Sequence, residues 1–354
     1  MSKINIIYLL PEMKGASGGA KVIYKHSSIL NNLDKDISSS VNHLKKKISY
    51  KIKTSLSKKI KFLQPKNSGW QGKKMKISKN FNPNDEWMTS RLVFGKDLNF
   101  DNKRDFIIIP EIWGHFAEDM QFKKKKINYA IFVQGFFHMH STDDFLKLKK
   151  SYKNANYILS DSVYSIKCLK EMFPEFKNKI IRIHFSIDSK KFRIKKKSNL
   201  ITYMPRKLPA HSSLLLFYLR NLLPKNWKIE PLININQKKL INMMGKSKIF
   251  LSFSYFEGIG MPPIEAALCG NKVVGYTGGG GMEYWKGEMF NKIETGEISS
   301  FGQKVLQEID GYKLSWINKT KKARNKLADQ YSIKQEIKSL NNLVKKIKIS
   351  MRKF

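Results

Sequence analysis

The residues with the most chemical potential lie in one stretch, FEGIGMPPIEAALCG, from Phe256 to Gly270. Glu257 and Glu265 stand eight positions apart, separated by two glycines, two adjacent prolines and otherwise only apolar residues. Pro262 and Pro263 suit the first turn of a helix, where the N–H groups they lack have no intrahelical partner. The pattern predicts a helix from about Pro262 to Leu268, with Gly270 as its stop. Gly258 and Gly260 then form the loop that enters it. Such a loop lets backbone N–H groups approach a ligand closely, and the helix dipole favours an anion there. Glu265 falls in the first turns of the helix, where its carboxylate can accept two hydroxyls, as a ribose diol presents them. Glu257, expected on the loop, would repel phosphate unless it serves a hydroxyl or a developing positive charge.

The elements that must hold these residues read plainly around them. Lys248 to Trp285 runs strand, loop, helix, strand, glycine loop, the last written GYTGGGGMEYW. Apolar strands alternate with helical patterns over most of the chain, which argues for stacked βαβ units and parallel sheet. Strand-like runs occur at 4–10, 105–115, 127–135, 155–162 and 179–188, with helical patterns at 21–33 and in VYSIKCLKEMF. The stretch KKFRIKKKSN, near 190–198, interrupts the alternation as a linker would. The alternation restarts at LITYMPRK (200–207), and 313–350 is helical by propensity and period. The domains expected are therefore 1–190 and 191–330, followed by a helical tail at 331–354. Between 43 and 105 the sequence is lysine-rich and irregular, with loop signals at KNSGWQGKK and FNPNDEW.

Composition sets limits on function. A chain of 354 residues, 41% hydrophobic, suits two domains, each with its own core. No apolar run is long enough to span a membrane, and the opening MSKINIIYLLPEMKG reads as a strand rather than a signal peptide. Cys168 and Cys269 are the two cysteines; they make no disulfide framework and have no metal-ligand spacing. They are expected to be buried structural thiols in a cytoplasmic protein. The net charge of +39 suits an anionic partner. Lysine bias of the whole composition accounts for it equally, so charge does not decide function.

EGIGMPPIE, followed by the glycine tract, resembles the E-x7-E motif of retaining GT-B glycosyltransferases, and the chain is similar to glycosyltransferase family 4 (group 1). The resemblance implies two facing Rossmann-like domains with a cleft between them and a C-terminal helix returning to the first. It implies a nucleotide-sugar donor held by Arg206, Lys207, Gly258, Ile259, Gly260, Glu265, Gly279 and Gly280 of the second domain. Glu257 and His115 take the catalytic positions, while Gly18, Gly19 and Gln134 line the acceptor side. The implied reaction transfers a sugar with retention to a glycan or lipid-linked acceptor, in cell-surface polysaccharide synthesis. The Asn-Gly of the family's domain crossover is replaced here by Phe185-Ser186. Negative charge grows on the leaving nucleoside diphosphate as the glycosidic bond breaks. Cationic side chains, loop amides and a helix N-terminus stabilise such charge, so neither a metal nor another cofactor is expected. The two glutamates differ in setting and read as donor binders, unlike the paired carboxylates of glycosidases.

Other readings are weaker. GASGG (15–19) lacks G-x-G-x-x-G spacing, which removes a dinucleotide oxidoreductase. Asp34-Lys35-Asp36 matches a metal-binding Asp-x-Asp, but as a polar turn after a helix it reads as a solvated helix end. His138 and His140 read as packed or surface residues, and His26, His43, His184 and His211 as structural. The alternative of another class is a non-enzymatic anion or nucleic-acid binder on a degenerate scaffold. Nucleic-acid binding calls for aromatics interleaved with the basic runs, and 43–62 and 343–354 offer only Tyr50, Phe62 and Phe354. A degenerate scaffold would have broken donor motifs, whereas these are present. Phe62, Trp70 and the neighbouring lysines are also consistent with peripheral contact with the anionic inner face of a membrane.

Overall fold

The computed structural model describes residues 3–12, 17–46, 75–77, 98–141 and 144–352. Most of the lysine-rich segment, with Tyr50, Phe62, Trp70 and both loop signals, lies outside these residues, as do Gly15 and Ala16. The chain divides into two compact units: Met1–Asp161 with Ser165–Ile183 and Ile337–Phe354, and Ser162–Tyr164 with His184–Glu336.

In the first unit the apolar run INIIYLL forms β1 (Ile4–Pro11), and α1 (Gly18–Leu33) follows from a Ser17 cap whose Oγ accepts the Ala20 N–H. After β2 (Ile37–Lys46) and β3 (Met75–Ile77) come β4 (Asp105–Pro110), the short α2 (Phe116–Asp119) and β5 (Asn128–Val133). The unit continues through α3 (Phe145–Asn154), β6 (Tyr157–Ser160), all but the first two residues of α4 (Val163–Met172), and β7 (Ile180–Arg182). The sheet order is β3-β2-β1-β4-β5-β6-β7, parallel except for the β2–β3 pair. Every residue of β4 and β5 is buried, as expected for central parallel strands covered on both faces.

Two features depart from the sequence expectations. ISSSVNHLKK is a ten-residue strand, although serine and asparagine are poor strand formers. Tertiary contacts override the propensity. The Asn31 side chain bonds both the N–H and the carbonyl of Ser39, at 2.7 and 2.9 Å, and Ser38 Oγ donates to Asn5 Oδ1. Asp34 and Asp36 are not merely solvated: Lys348 Nζ lies 2.7 and 3.2 Å from them and holds the Asp34 carboxyl below its usual range.

The second unit holds β8 (Leu200–Tyr203), α5 (Pro209–Leu219), β9 (Lys228–Pro231), α6 (Gln237–Lys246), β10 (Ile249–Glu257), α7 (Met261–Leu268), β11 (Lys272–Gly279), β12 (Phe290–Lys292) and α8 (Ile298–Asp310). Its five parallel strands follow the order β12-β11-β10-β8-β9. Leu215, Leu251, Phe253, Tyr276 and Phe301 fill the core on one face. Lys197 of the linker is part of this packing. Its ammonium donates to the carbonyls of Ser247 and Cys269 and to Asn271 Oδ1, at 2.5, 2.7 and 2.8 Å, and burial lowers its pKa to about 7.

The helical stretch at 313–350 is divided into α9 (Trp316–Lys319), α10 (Lys321–Gln330) and α11 (Ile333–Met351), the last lying within the tail expected at 331–354. The unit boundary falls inside α11, between Glu336 and Ile337. Cys269 is buried, and its thiol is pushed up to about 12 by that burial, whereas Cys168 is only half-buried. Among the described residues no helix is long and apolar enough to cross a membrane.

Candidate active site

A parallel sheet opens a crevice where strand order reverses, because the loops leaving two neighbouring strands there diverge to opposite sides. In the second unit that point lies between β8 and β10. From β8 the chain passes through α5 to β9 on one side, and β10 continues on the other. The turn after β8 carries Arg206, exposed, and Lys207, half-buried. Lys207 Nζ stands 3.3 Å from Glu257 Oε1, with both side chains about a quarter to a third exposed. Residues fifty positions apart in sequence thus meet at the switch point. Glu257 itself ends β10, in register with Gly279 of β11, rather than lying on the following loop. The sheet extends past a register shift and takes it in.

The glycines make the surrounding backbone possible. Gly260, at φ +79°, caps α7 without a side chain, with Pro262 and Pro263 in the first turn, as the spacing predicts. Gly280 lies so close to the Gly258 carbonyl that a Cβ would come within 1.5 Å of its oxygen. The two glycine loops are therefore in backbone contact. Gly278 and Gly279 have positive φ, +67° and +86°, which favours glycine. Glu265 is half-buried on α7.

Tyr284, not singled out from sequence, fastens this arrangement. Its hydroxyl donates to the Gly260 carbonyl at 2.7 Å and lies 3.1 Å from that of Ile259, and burial pushes its pKa upward. The available signal was a tyrosine three positions after a glycine tract, since a buried phenol requires a partner.

In the first unit the reversal lies between β1 and β4. Gly18 and Gly19 open α1 beyond β1, and Gln134, beyond β5, donates from Nε2 to the Gly19 carbonyl at 3.1 Å. These predicted acceptor-side residues are therefore brought together. His115 is buried before α2, its Nε2 3.5 Å from Asp119 Oδ2, and Lys147 also pairs with Asp119. Glu111, likewise absent from the sequence reading, follows β4 directly and is buried. Its Oε1 accepts the Gly135 N–H at 3.1 Å, which ties the end of β4 to the loop carrying Gln134. Burial pushes its carboxyl up to about 7. A lone glutamate between apolar runs in IIIPEIW was the legible hint. His140 is exposed and bonds the Phe137 carbonyl, while His26 is buried and stacks on Phe132. Among the described residues no group of acidic, histidine or cysteine side chains has metal-binding geometry.

Neither the family models nor the curated proteins yield a match to this sequence. Solved structures do. A sucrose-phosphate synthase from Thermosynechococcus elongatus matches with a TM-score of 0.65 at 9% identity, over 98% of this chain and all of that one. HepE from Anabaena, in complex with UDP-glucose, matches at 0.63 and 10% identity, over 97% of this chain and 99% of that one. A glycosyltransferase from Rickettsia africae matches at 0.55 and 13%, over 99% of both. At these identities the likeness shows the fold: an α/β architecture with two parallel sheets, of the GT-B type.

Proposed function

We propose that the protein is a nucleotide-sugar-dependent glycosyltransferase of the hexosyl-transferring kind, similar to family 4, with the donor mainly on the second unit and the acceptor mainly on the first. The observation that carries this reading is the meeting of Lys207 and Glu257 at the switch point, beside the start of α7, where Gly260 offers no side-chain cap. A cation, a carboxylate and the backbone amides of the glycine loop there suit a ligand with a diphosphate at one end and hydroxyls at the other.

In this reading Glu265 takes the ribose hydroxyls. Arg206, Lys207 and the amides of Gly258, Ile259 and Gly260 take the diphosphate, with Gly279 and Gly280 keeping the loop in place. Glu257 lies beside the transferred sugar, where a carboxylate both accepts its hydroxyls and offsets positive charge developing at the anomeric carbon. Charge growing on the leaving diphosphate is met by cations already in position, which is the most productive form of electrostatic catalysis. These groups suffice without a metal or other cofactor. His115, oriented by Asp119, is the candidate polar group on the acceptor side; a carboxylate partner fixes an imidazole's orientation. Retention of configuration, a glycan or lipid-linked acceptor in surface polysaccharide synthesis, and a cytoplasmic setting with peripheral membrane contact complete the proposal. Support for these comes from the motif resemblance alone.

The test is a nucleotide-sugar panel, read by thermal shift and by release of nucleoside diphosphate, with Glu265→Ala and Arg206→Ala as controls. We expect at least one nucleoside diphosphate to stabilise the wild type and neither variant. If none does, the non-enzymatic reading takes precedence.

A further inference from the structure

Three residues of β10, Tyr255 to Glu257, run against two of β11. Ser254 pairs with Thr277, and the next pair is Glu257 with Gly279. One residue too many in a strand is a β-bulge, a device that re-aims side chains. The excess is taken up at Phe256, whose φ of +48° lies in the left-handed region. For a bulky residue that conformation is an outlier, and such outliers cluster at ligand sites.

The consequence is geometric. In an unbroken strand neighbouring side chains point to opposite faces. Here Ser254 and Glu257 share a face, since a Cβ on Gly278 would meet their Cβ atoms at 2.9 and 3.1 Å. Tyr255 and Phe256 are thrown together instead, with ring centroids 3.9 Å apart and planes 33° from parallel. Both residues keep exposed surface, at 39% and 48%. A strained backbone thus presents a double aromatic surface directly beside the carboxylate that faces Lys207.

We propose that Tyr255 and Phe256 form a carbohydrate-stacking subsite that takes the apolar face of an acceptor pyranose ring. Axial C–H groups on one face of a pyranose carry partial positive charge and suit the negative face of an aromatic ring. The choice of acceptor rests on the donor-site reading above. There the nucleotide runs from ribose at Glu265 through diphosphate at Lys207 to sugar at Glu257, and the aromatic pair adjoins the sugar end.

The experiment uses saturation-transfer NMR on the full chain with methyl pyranosides and short oligosaccharides as probes, alongside nucleoside diphosphate binding by thermal shift. Phe256→Asn keeps a residue that tolerates the left-handed conformation but removes the ring, and Tyr255→Leu keeps apolar bulk but removes the π-face. Each is expected to weaken saccharide binding about three- to tenfold, with the diphosphate-induced shift retained. Undiminished saccharide binding in both folded variants overturns the subsite. So does a parallel loss of diphosphate binding, which would assign the rings to the nucleotide. Saccharide binding that depends on the rings, in a wild type that binds no nucleoside diphosphate, would instead keep the subsite and overturn the transferase reading.

Discussion

Lys207 Nζ and Glu257 Oε1 lie 3.3 Å apart at the point where the second sheet reverses its strand order. Ion pairs that keep contact with solvent contribute about 0–1 kcal/mol to stability, so stability does not account for the arrangement. Glu257→Gln and Lys207→Ala should each leave the urea midpoint nearly unchanged. Turnover of a nucleotide sugar should fall on the order of a hundredfold, the typical cost of removing one preorganised charge contact in a transition state. Unfolding curves and initial rates on the same samples check this. A large loss of stability with turnover intact would make the pair structural.

Gly280 and Gly258 make the complementary case, where backbone contact rather than charge is at stake. A Cβ on Gly280 would come within 1.5 Å of the Gly258 oxygen, a contact neither loop can absorb without moving. Gly280→Ala should cost about 3 kcal/mol or more and abolish stabilisation by nucleoside diphosphates. Gly287→Ala is the control. It has the positive φ, +75°, that Gly280 lacks, and no atom lies within 4 Å of the added Cβ. It should cost about 1 kcal/mol from backbone strain and leave nucleotide binding as it was. Thermal melts with and without UDP separate the two.

Tyr284→Phe removes one hydroxyl and almost nothing else. The carbonyls of Gly260 and Ile259 lose that donor just before α7. A stability loss of about 1 kcal/mol is expected, with nucleoside diphosphate affinity down about three- to tenfold as the loop loosens. Isothermal titration of the folded variant gives the affinity directly. Unchanged affinity would show that the tyrosine serves the fold and not the site.

How much of this was legible follows from what each residue obeys. Pro262, Pro263, Gly260 and Gly270 bear fixed backbone meanings, so the helix of the site could be placed from sequence to within a residue or two. β2 was not legible, because Ser38 to Ser40 become strand only through partners such as Asn5 and Asn31, distant in sequence. The bulge at Phe256 left no trace either. Nothing in SYFEG marks a phenylalanine as left-handed, and alternation alone would have separated the rings that the fold joins. Glu111 and Tyr284 belong to the same class: their polar groups matter because of burial and of acceptors or donors that sequence spacing does not reveal.

The last prediction concerns two buried titratable groups in the first unit with opposing effects. Burial raises the Glu111 carboxyl from 4.5 to about 7, so between those values the native state holds a proton that the unfolded state releases. Its contribution to stability is therefore greatest at low pH and is lost as pH rises through that window. Burial lowers His43 from 6.5 to about 4. The ring suits the neutral form, with Nε2 2.7 Å from the Tyr24 hydroxyl and Nδ1 3.3 Å from the Pro11 carbonyl. Here the unfolded state binds the extra proton, and stability is lost as pH falls from 6.5 towards 4. Each shift corresponds to about 3 kcal/mol, with opposite sign. The two slopes offset one another across most of the acid range, and the wild type should be nearly indifferent to pH in these two groups. Glu111→Gln removes one slope, so the variant should gain stability relative to wild type by about 3 kcal/mol between pH 4.5 and 7.5. Urea denaturation of both proteins at several pH values gives the difference, in which all other titrations cancel. A difference that is flat with pH would mean that Glu111 is already ionised in the folded protein.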